Sequence, residues 1–150
     1  MSYWDLVEPY WDDVRIYDEP GVFTAQLARL PEPSRHLFVT HWTQSEIQNG
    51  GLGQFFSNHT GILAPEAVVG FQALGMPETS AQLALAMRAF GEAYPRERAA
   101  RGGVTPSTEI EDRFADLLET EAGGFWDAAD RYALKNEAAQ RKLDGSGRAS

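Results

Sequence analysis

Apolar residues recur at helical spacing along nearly the whole chain, and no stretch shows the strict alternation typical of a half-buried strand. Proline and glycine interrupt this pattern at short intervals, where they start or end helices. We therefore predict an all-α fold, a compact single-domain bundle of about seven or eight helices. The predicted domain spans residues 1–143, and residues 144–150 are predicted to form a disordered tail.

Composition narrows the classes of protein to consider. The chain has 150 residues, which suits one domain, and it has no cysteine, which excludes disulfides and thiolate metal sites. No apolar run approaches the ~18 residues of a membrane span, and the first residues are too acidic for a signal peptide. We expect a cytoplasmic protein that contacts no membrane and carries neither a metal nor a cofactor.

The formal net charge of −9 is concentrated in two segments of the sequence. Residues 1–20 carry six acidic residues against Arg15, and residues 109–130 carry eight against Arg113. Residues 131–150 are net basic. Because contacts to phosphates need clustered Lys and Arg, direct binding to nucleic acid is disfavoured, and the electrostatic complement of this chain is a basic partner.

The helix predicted to start near Thr108 has two distinct faces. Ile110, Phe114, Leu117, Leu118 and Glu121 share one side. Carboxylates at i, i+3, i+7 and i+10 lie within about 80° of one another on the other side: Glu109, Asp112, Asp116 and Glu119. Such a row is usually a solvated face, but few bases neutralise it, and unneutralised carboxylates on a rigid helix resemble backbone phosphates.

A second acidic row is predicted near the N-terminus. Apolar residues at Trp4, Val7, Trp11 and Val14 follow helical spacing, although Pro9 should delay or kink that helix. If the helix persists, Asp5, Glu8 and Asp12 repeat the i, i+3, i+7 spacing, with Asp13 beside them. The sequence does not show whether the two acidic segments meet on one face.

The stretch EIQNGGLGQFFSN, residues 46–58, carries the densest polar chemistry. A helix is predicted over about 35–49, begun by Ser34 as N-cap and ended at Gly50-Gly51, with a brief helix over about 52–58. Helical geometry turns Glu46 and Asn49 toward the core. A buried carboxylate must find donors, so the favoured interpretation is structural. Glu46 and Asn49 hold the glycine corner, Phe55 and Phe56 fill the core, and three side chains join the polar network: Gln54, Asn58 and Thr60.

The alternative interpretation makes the same corner a pocket. Glu46 would act as a general base with His41 or His59 and Asn58, or the pocket would bind a small ligand. Its candidate residues are His41, Trp42, Glu46, Asn49, Gly50, Gly51, Gln54, Phe55, Phe56 and Asn58. Other catalytic patterns are missing: His36 and His41 lack the i, i+4 spacing of zinc ligands, and the sequence has no phosphate-binding loop and no serine elbow.

The order of motifs resembles a known family. Glu46-Ile47-Gln48-Asn49-Gly50-Gly51, then Gln54-Phe55-Phe56 and Asn58, is similar to the signature of a bacterial all-helical family, long described as a domain of unknown function. Its characterised member is an acidic DNA mimic, DNA mimic protein nineteen. The resemblance extends over roughly residues 1–135. It implies an all-α fold, an acidic surface that occupies the DNA-binding face of a transcription factor, and a homodimer.

These observations lead to a prediction of function and to its alternatives. The leading prediction is a non-enzymatic acidic protein that binds a basic, DNA-binding protein, through the carboxylates of residues 109–119 first and those of residues 5–13 second. The alternatives are an enzyme or small-ligand binder built around Glu46, and an immunity-type protein that binds a basic toxin. The last of these needs the same acidic surface as the first.

Overall fold

The computed structural model describes residues 2–147, with side chains described up to residue 137. No strand occurs within that range, so the all-α prediction is confirmed. Six α-helices are α1 Pro20–Ala28, α2 Glu32–Ser57, α3 Ala64–Ala73, α4 Pro77–Met87, α5 Thr108–Thr120 and α6 Phe125–Gly147. Six short 3-10 segments are Tyr3–Leu6, Glu8–Asp13, His59–Leu63, Arg88–Phe90, Arg98–Arg101 and Glu121–Gly123.

Helix α2 is the centre of the fold and contacts α3, α5, α6 and the N-terminal segment. It begins at Glu32, so Ser34 lies inside its first turn as a buried residue and the predicted cap is wrong. The helix is interrupted at Gly51, whose φ of 80° and ψ of 179° are non-helical. Glycine tolerates this conformation because it has no Cβ. The predicted break between two helices is therefore confirmed as a kink within one long element.

The core is continuous from the N-terminal segment to α5 and is crossed by aromatic ring contacts. Tyr3 and Phe125 lie 5.6 Å apart between ring centroids, Phe125 and Phe71 lie 6.3 Å apart, and Phe71 and Phe114 lie 6.0 Å apart. All four rings are buried. Edge-to-face pairs of this kind add to the free energy of burial. One apolar core thus joins the helices that carry both acidic segments.

Residues 3–13 do not form one continuous helix, which Pro9 was predicted to delay or kink. They form two 3-10 segments joined at Val7, and Pro9 stands near the start of the second. The backbone N–H of Tyr3 donates to Asp130 Oδ1 of α6 at 2.8 Å, and the Tyr3 ring is buried. The segment is therefore held to α6 and α2 by side-chain packing rather than by its own helical backbone.

Helix α6 continues to Gly147, four residues beyond the domain boundary predicted at residue 143. The last three residues of the predicted disordered tail, 148–150, lie outside the described residues. Within residues 2–147, no helix is both long enough and apolar enough to cross a membrane.

Candidate functional site

The outer face of α5 carries the predicted row of carboxylates. Ser107 caps the helix by accepting the Ile110 N–H at 3.3 Å. Phe114 and two leucines bury the opposite face. This anchoring leaves all four predicted side chains exposed: Glu109, Asp112, Asp116 and Glu119. The geometry predicted for this face is confirmed, and its binding to a partner stays a prediction.

Arg113 is the basic residue within this acidic face. Its guanidinium lies 3.5 Å from Asp116 Oδ2 and 3.9 Å from Glu78 Oε1. The three side chains are 51%, 59% and 67% exposed, in the order Arg113, Asp116, Glu78. Solvent-exposed ion pairs contribute only about 0–1 kcal/mol and are screened by salt. The α5 face therefore keeps a negative potential that a basic surface could neutralise.

Glu111, on the same helix, faces inward and was missed as a site residue. Its Oε1 accepts the backbone N–H of Leu52 at 2.9 Å, directly after the kink at Gly51. Leu52 begins the second half of α2, where unpaired N–H groups favour an anion. The sequence did contain a signal, because Glu111 lies seven residues before Leu118 and so only about 20° from it around the helix. Glu111, and not Glu46, holds the glycine corner.

Glu121 accepts backbone N–H groups at the start of α4, as Glu111 does at Leu52. Its Oε2 accepts the Glu78 N–H at 2.8 Å, and its Oε1 accepts both the N–H and the hydroxyl of Thr79 at 2.7 Å. Both residues lie in the first turn of α4, where a carboxylate is stabilised by the helix dipole. Sequence analysis placed Glu121 on the apolar side, and this bonding explains why a carboxylate occurs there.

The N-terminal acidic residues are exposed, as predicted, but do not form a helical row. Asp5, Glu8, Asp12 and Asp13 are distributed over the two 3-10 segments, so the condition for the i, i+3, i+7 alignment, a persistent α-helix, is not met. The side chain of Asp5 accepts the Ser2 N–H at 3.3 Å and helps cap the first segment.

The two acidic segments lie against different parts of the core. The N-terminal segment packs mainly on α6 and α2, whereas α5 packs mainly on α4. Tyr3 of the first segment is linked to Phe114 of α5 through Phe125 and Phe71, across three ring contacts. The two acidic segments are therefore anchored mainly on different helices.

The corner at residues 46–58 matches the structural interpretation in part. Glu46 Oε2 accepts from Gln54 Nε2 at 3.3 Å and from Asn58 Nδ2 at 3.2 Å, as the predicted polar network requires. Phe55 and Phe56 are fully buried. Two expectations are wrong, because Glu46 is only half-buried and Asn49 is exposed.

Two further residues predicted at this corner, Thr60 and His41, do not join its hydrogen bonds among the described residues. Thr60, expected in the polar network, has a buried hydroxyl without a hydrogen-bond partner among the described residues. His41 shares a 2.7 Å hydrogen bond between its Nδ1 and the Tyr3 hydroxyl, and its ring contacts Trp4 and Trp11. Burial lowers the pKa of His41. The structure therefore pairs His41 with Tyr3 rather than with Glu46.

Trp42 lies beside this histidine on α2 and is half-buried. Its indole stacks on Trp11, with ring centroids 5.2 Å apart and an interplanar angle of 14°. It belongs to the surface between the N-terminal segment and α2 rather than to the corner around Glu46. Among the described residues, no group of three or more His, Cys, Asp or Glu side chains could hold a metal ion.

Arg101 is a buried cation that sequence analysis did not single out. Its guanidinium donates to the carbonyl oxygens of Phe56, Asn58, Pro95 and Arg96 at 2.5–3.1 Å. Two of these carbonyls lie at the end of α2, where a positive charge is favoured. Burial lowers the pKa of Arg101. The side chain is only 1% exposed and holds the loop before α5 against α2.

His59 lies next to this arginine cluster. Its Nε2 is 3.2 Å from Arg98 Nη1, and Arg98 also donates to the Ser57 carbonyl. The pKa of His59 is lowered by desolvation and then by the nearby charges of Arg98 and Arg101. His59 thus lies just past the end of α2 beside Arg98, and it does not hydrogen-bond to Glu46 among the described contacts.

Comparison with known proteins places these features in a family. A family model described as DMP19-like protein matches residues 28–143. The matched range includes the kink at Gly51, Arg101 and all of α5, and it leaves out residues 1–27. A search of curated proteins found no match, and neither did a search of solved structures.

Proposed function

The chain belongs to the DMP19-like family, and we propose that it is a non-enzymatic acidic protein that binds a basic, DNA-binding protein in place of DNA. The observation that carries this proposal is the exposed row of four carboxylates on the outer face of α5. The partner would be a transcription factor or another cytoplasmic protein whose surface is built to bind phosphates.

The spacing of these charges supports the comparison with DNA. From Glu109 to Glu119 the helix rises about 15 Å, at about 1.5 Å per residue. One carboxylate therefore occurs about every 5 Å, compared with about 3.4 Å per phosphate along one DNA strand. The carboxylates of the α5 face are spaced more widely than the phosphates of a DNA strand, but the two charge densities are of the same order. Lysines and arginines arranged to bind phosphates could therefore approach this face.

The rigidity of α5 also supports binding. Glu111 joins the helix to the second half of α2, Glu121 directly after the helix binds the N-terminus of α4, and Phe114 is fully buried. A surface that is already ordered loses less conformational entropy on association. The α5 face would bind without the ordering cost of a flexible acidic tail.

The first experiment identifies the partner. The protein is immobilised, lysate of the native host is applied at low salt, and bound proteins are eluted by a salt step and identified by mass spectrometry. A DNA-binding protein that duplex DNA displaces supports the proposal. Recovery of a basic protein that DNA does not displace favours the immunity-type alternative instead. The absence of any salt-eluted protein contradicts both.

The second experiment tests the α5 face with the captured partner. In the α5 variant, Glu109→Gln, Asp112→Asn, Asp116→Asn and Glu119→Gln remove four charges without changing side-chain size. The control variant removes four exposed charges elsewhere: Glu19→Gln, Glu32→Gln, Glu92→Gln and Glu97→Gln. We expect the α5 variant to lose most of the affinity and most of its salt dependence, and the control to lose little. Equal losses would place the contact outside α5.

Replacing Arg113 should change the affinity for the partner in the opposite direction. Arg113→Gln removes the base that partly neutralises Asp116 and Glu78. If the α5 face contacts a basic surface, the variant binds the partner more tightly than the wild type. Weaker binding would show that Arg113 itself contacts the partner.

The homodimer implied by the family resemblance is part of this proposal, and light scattering of the purified protein measures it directly.

A further inference from the structure

The proposed function does not involve a groove that lies between the N-terminal segment and α2. Its volume is about 490 Å³. We call it the Trp42 groove, and the residues of its lining that matter here are Trp11, Trp42, Tyr17, Asp12, Asp18 and Arg15. Three aromatic side chains and two carboxylates thus line one open depression, at a distance in sequence from α5.

The aromatic part of the groove contains a stacked indole pair. Trp11 stacks on Trp42 and also contacts the rings of Trp4 and Phe38. Trp42 has Trp11 as its only ring contact among the described residues, and it remains half-buried. An indole face that is left uncovered attracts a cation through the ring quadrupole.

The charge of the groove favours the same kind of occupant. Asp12 is exposed, and Asp18 is half-buried with its Oδ2 accepting from Gln26 Nε2 at 3.0 Å. Arg15 is the base in the lining, and its guanidinium has no ion pair and no ring contact within the described part of the chain. The first 20 residues carry six acids against this one arginine. Trp42 therefore lines a groove whose negatively charged surroundings favour a cation supplied by a partner.

We propose that the Trp42 groove binds an arginine side chain presented by a partner polypeptide. A guanidinium is planar and weakly hydrated, so it stacks on an indole face while its N–H groups donate to a carboxylate beside it. A lysine ammonium is compact and strongly hydrated, and it satisfies the two contacts together less well. The inference goes beyond the α5 surface and stands without it, because no residue of α5 lines the groove.

The test uses a short peptide that is neutral except for one central arginine, with counterparts that carry lysine or uncharged citrulline at that position. The host protein is the α5 variant with four charges removed, so that binding at α5 does not contribute. We expect the arginine peptide to shift the indole N–H resonances of Trp11 and Trp42 in NMR spectra. Trp126, exposed on α6, serves as the internal control and should not shift.

Substitutions in the groove complete the test. Trp42→Leu keeps apolar bulk but removes the indole face, and we expect it to weaken arginine-peptide binding roughly 3- to 30-fold. A second variant carries Asp12→Asn and Asp18→Asn and leaves both indoles in place. It should also bind the arginine peptide more weakly, and it replaces Trp42→Leu in the test if that variant fails to fold. Equal binding of the lysine or citrulline peptide, absence of the indole shifts, or unchanged affinity in the aspartate variant would overturn the inference. Failure here leaves the α5 experiments unaffected.

Discussion

Glu111 Oε1 accepts the backbone N–H of Leu52 at 2.9 Å and so joins α5 to the second half of α2 across 59 residues of sequence. The bond forms directly after Gly51, whose φ of 80° breaks α2. The N–H groups exposed by the break resemble those of a helix N-terminus, and the carboxylate satisfies one of them. The same helix that presents carboxylates to solvent therefore uses another carboxylate to hold the central kink of the fold in place.

Removing this carboxylate should destabilise the fold. We expect Glu111→Ala to lower the free energy of unfolding by about 1–2 kcal/mol, because the variant leaves the Leu52 N–H without its acceptor. Urea denaturation followed by circular dichroism measures the change. The control is Asp112→Ala, an exposed neighbour on the same helix, which should change stability by less than about 0.5 kcal/mol. Similar losses in both variants would contradict the assigned role of Glu111.

Gly51 and Glu111 should also be energetically coupled. A Cβ placed on Gly51 would lie 1.8 Å from Glu111 Oε1, so Gly51→Ala forces this carboxylate to move in addition to straining a backbone of positive φ. Strain of that kind costs about 1–3 kcal/mol. In the double variant with Glu111→Ala, the clash is gone and only the backbone strain remains. We expect the double variant to lose clearly less stability than the two single variants together, and a double-mutant cycle measures the difference. Strict additivity would mean that the two residues do not interact.

Arg101 should not tolerate replacement by lysine. Its guanidinium donates to four carbonyl oxygens and is 1% exposed. An ammonium has three donors on one nitrogen and cannot reach the same positions. We expect Arg101→Lys to lower the free energy of unfolding by about 2–4 kcal/mol, since it leaves buried carbonyls unpaired.

The matched control for this prediction is Arg98→Lys. Arg98 is an exposed arginine of the same 3-10 segment and donates to the Ser57 carbonyl. Its replacement should cost less than about 1 kcal/mol. Gly61 provides a second check, because a Cβ there would lie 2.7 Å from Arg101 Nε and from the Phe55 carbonyl oxygen. Gly61→Ala should therefore also destabilise the fold, and thermal unfolding of the three variants would compare them.

Stability should fall as the pH drops below about 6.5. Burial lowers the pKa of His36 and of His41 from 6.5, and the burial effect at His36 outweighs the opposing charge of Glu32. Between the folded pKa values and 6.5 the unfolded chain binds more protons than the folded chain, so acid favours unfolding. This stability is fully present above pH 6.5 and is lost as the pH falls through the folded pKa values.

The measurement is the free energy of unfolding in urea at pH 7.5, 6.5 and 5.5. His36→Gln and His41→Gln should each reduce the slope, because they remove the titrating group while keeping a polar side chain opposite Tyr132 and Tyr3. His59→Gln should reduce the slope as well, because desolvation and the charges of Arg98 and Arg101 lower the pKa of His59. A wild-type stability that stays constant between pH 7.5 and 5.5 would contradict the prediction.

Local patterns in the sequence predicted much of the fold. The position of a side chain around a helix depends only on backbone geometry within a few residues, so the spacing of Glu109, Asp112, Asp116 and Glu119 placed them correctly on one exposed face. The two glycines likewise predicted a break, and Gly51 adopts the positive φ that makes one. Pro9 indicated that the N-terminal segment would not remain one helix, and it does not.

The sequence by itself therefore determined the helices, their apolar faces and the outward row of acids. Tertiary structure decided the partners of the inward polar groups: Glu111 with Leu52, Glu121 with Thr79, and Arg101 with the end of α2. It also decided that Asn49 is exposed and that His41 pairs with Tyr3 rather than serving Glu46. The physical reason is the separation along the sequence of the residues that determine each feature. Helical periodicity repeats every few residues, whereas these hydrogen bonds join groups about 40 to 60 residues apart, whose proximity depends on how the whole core packs.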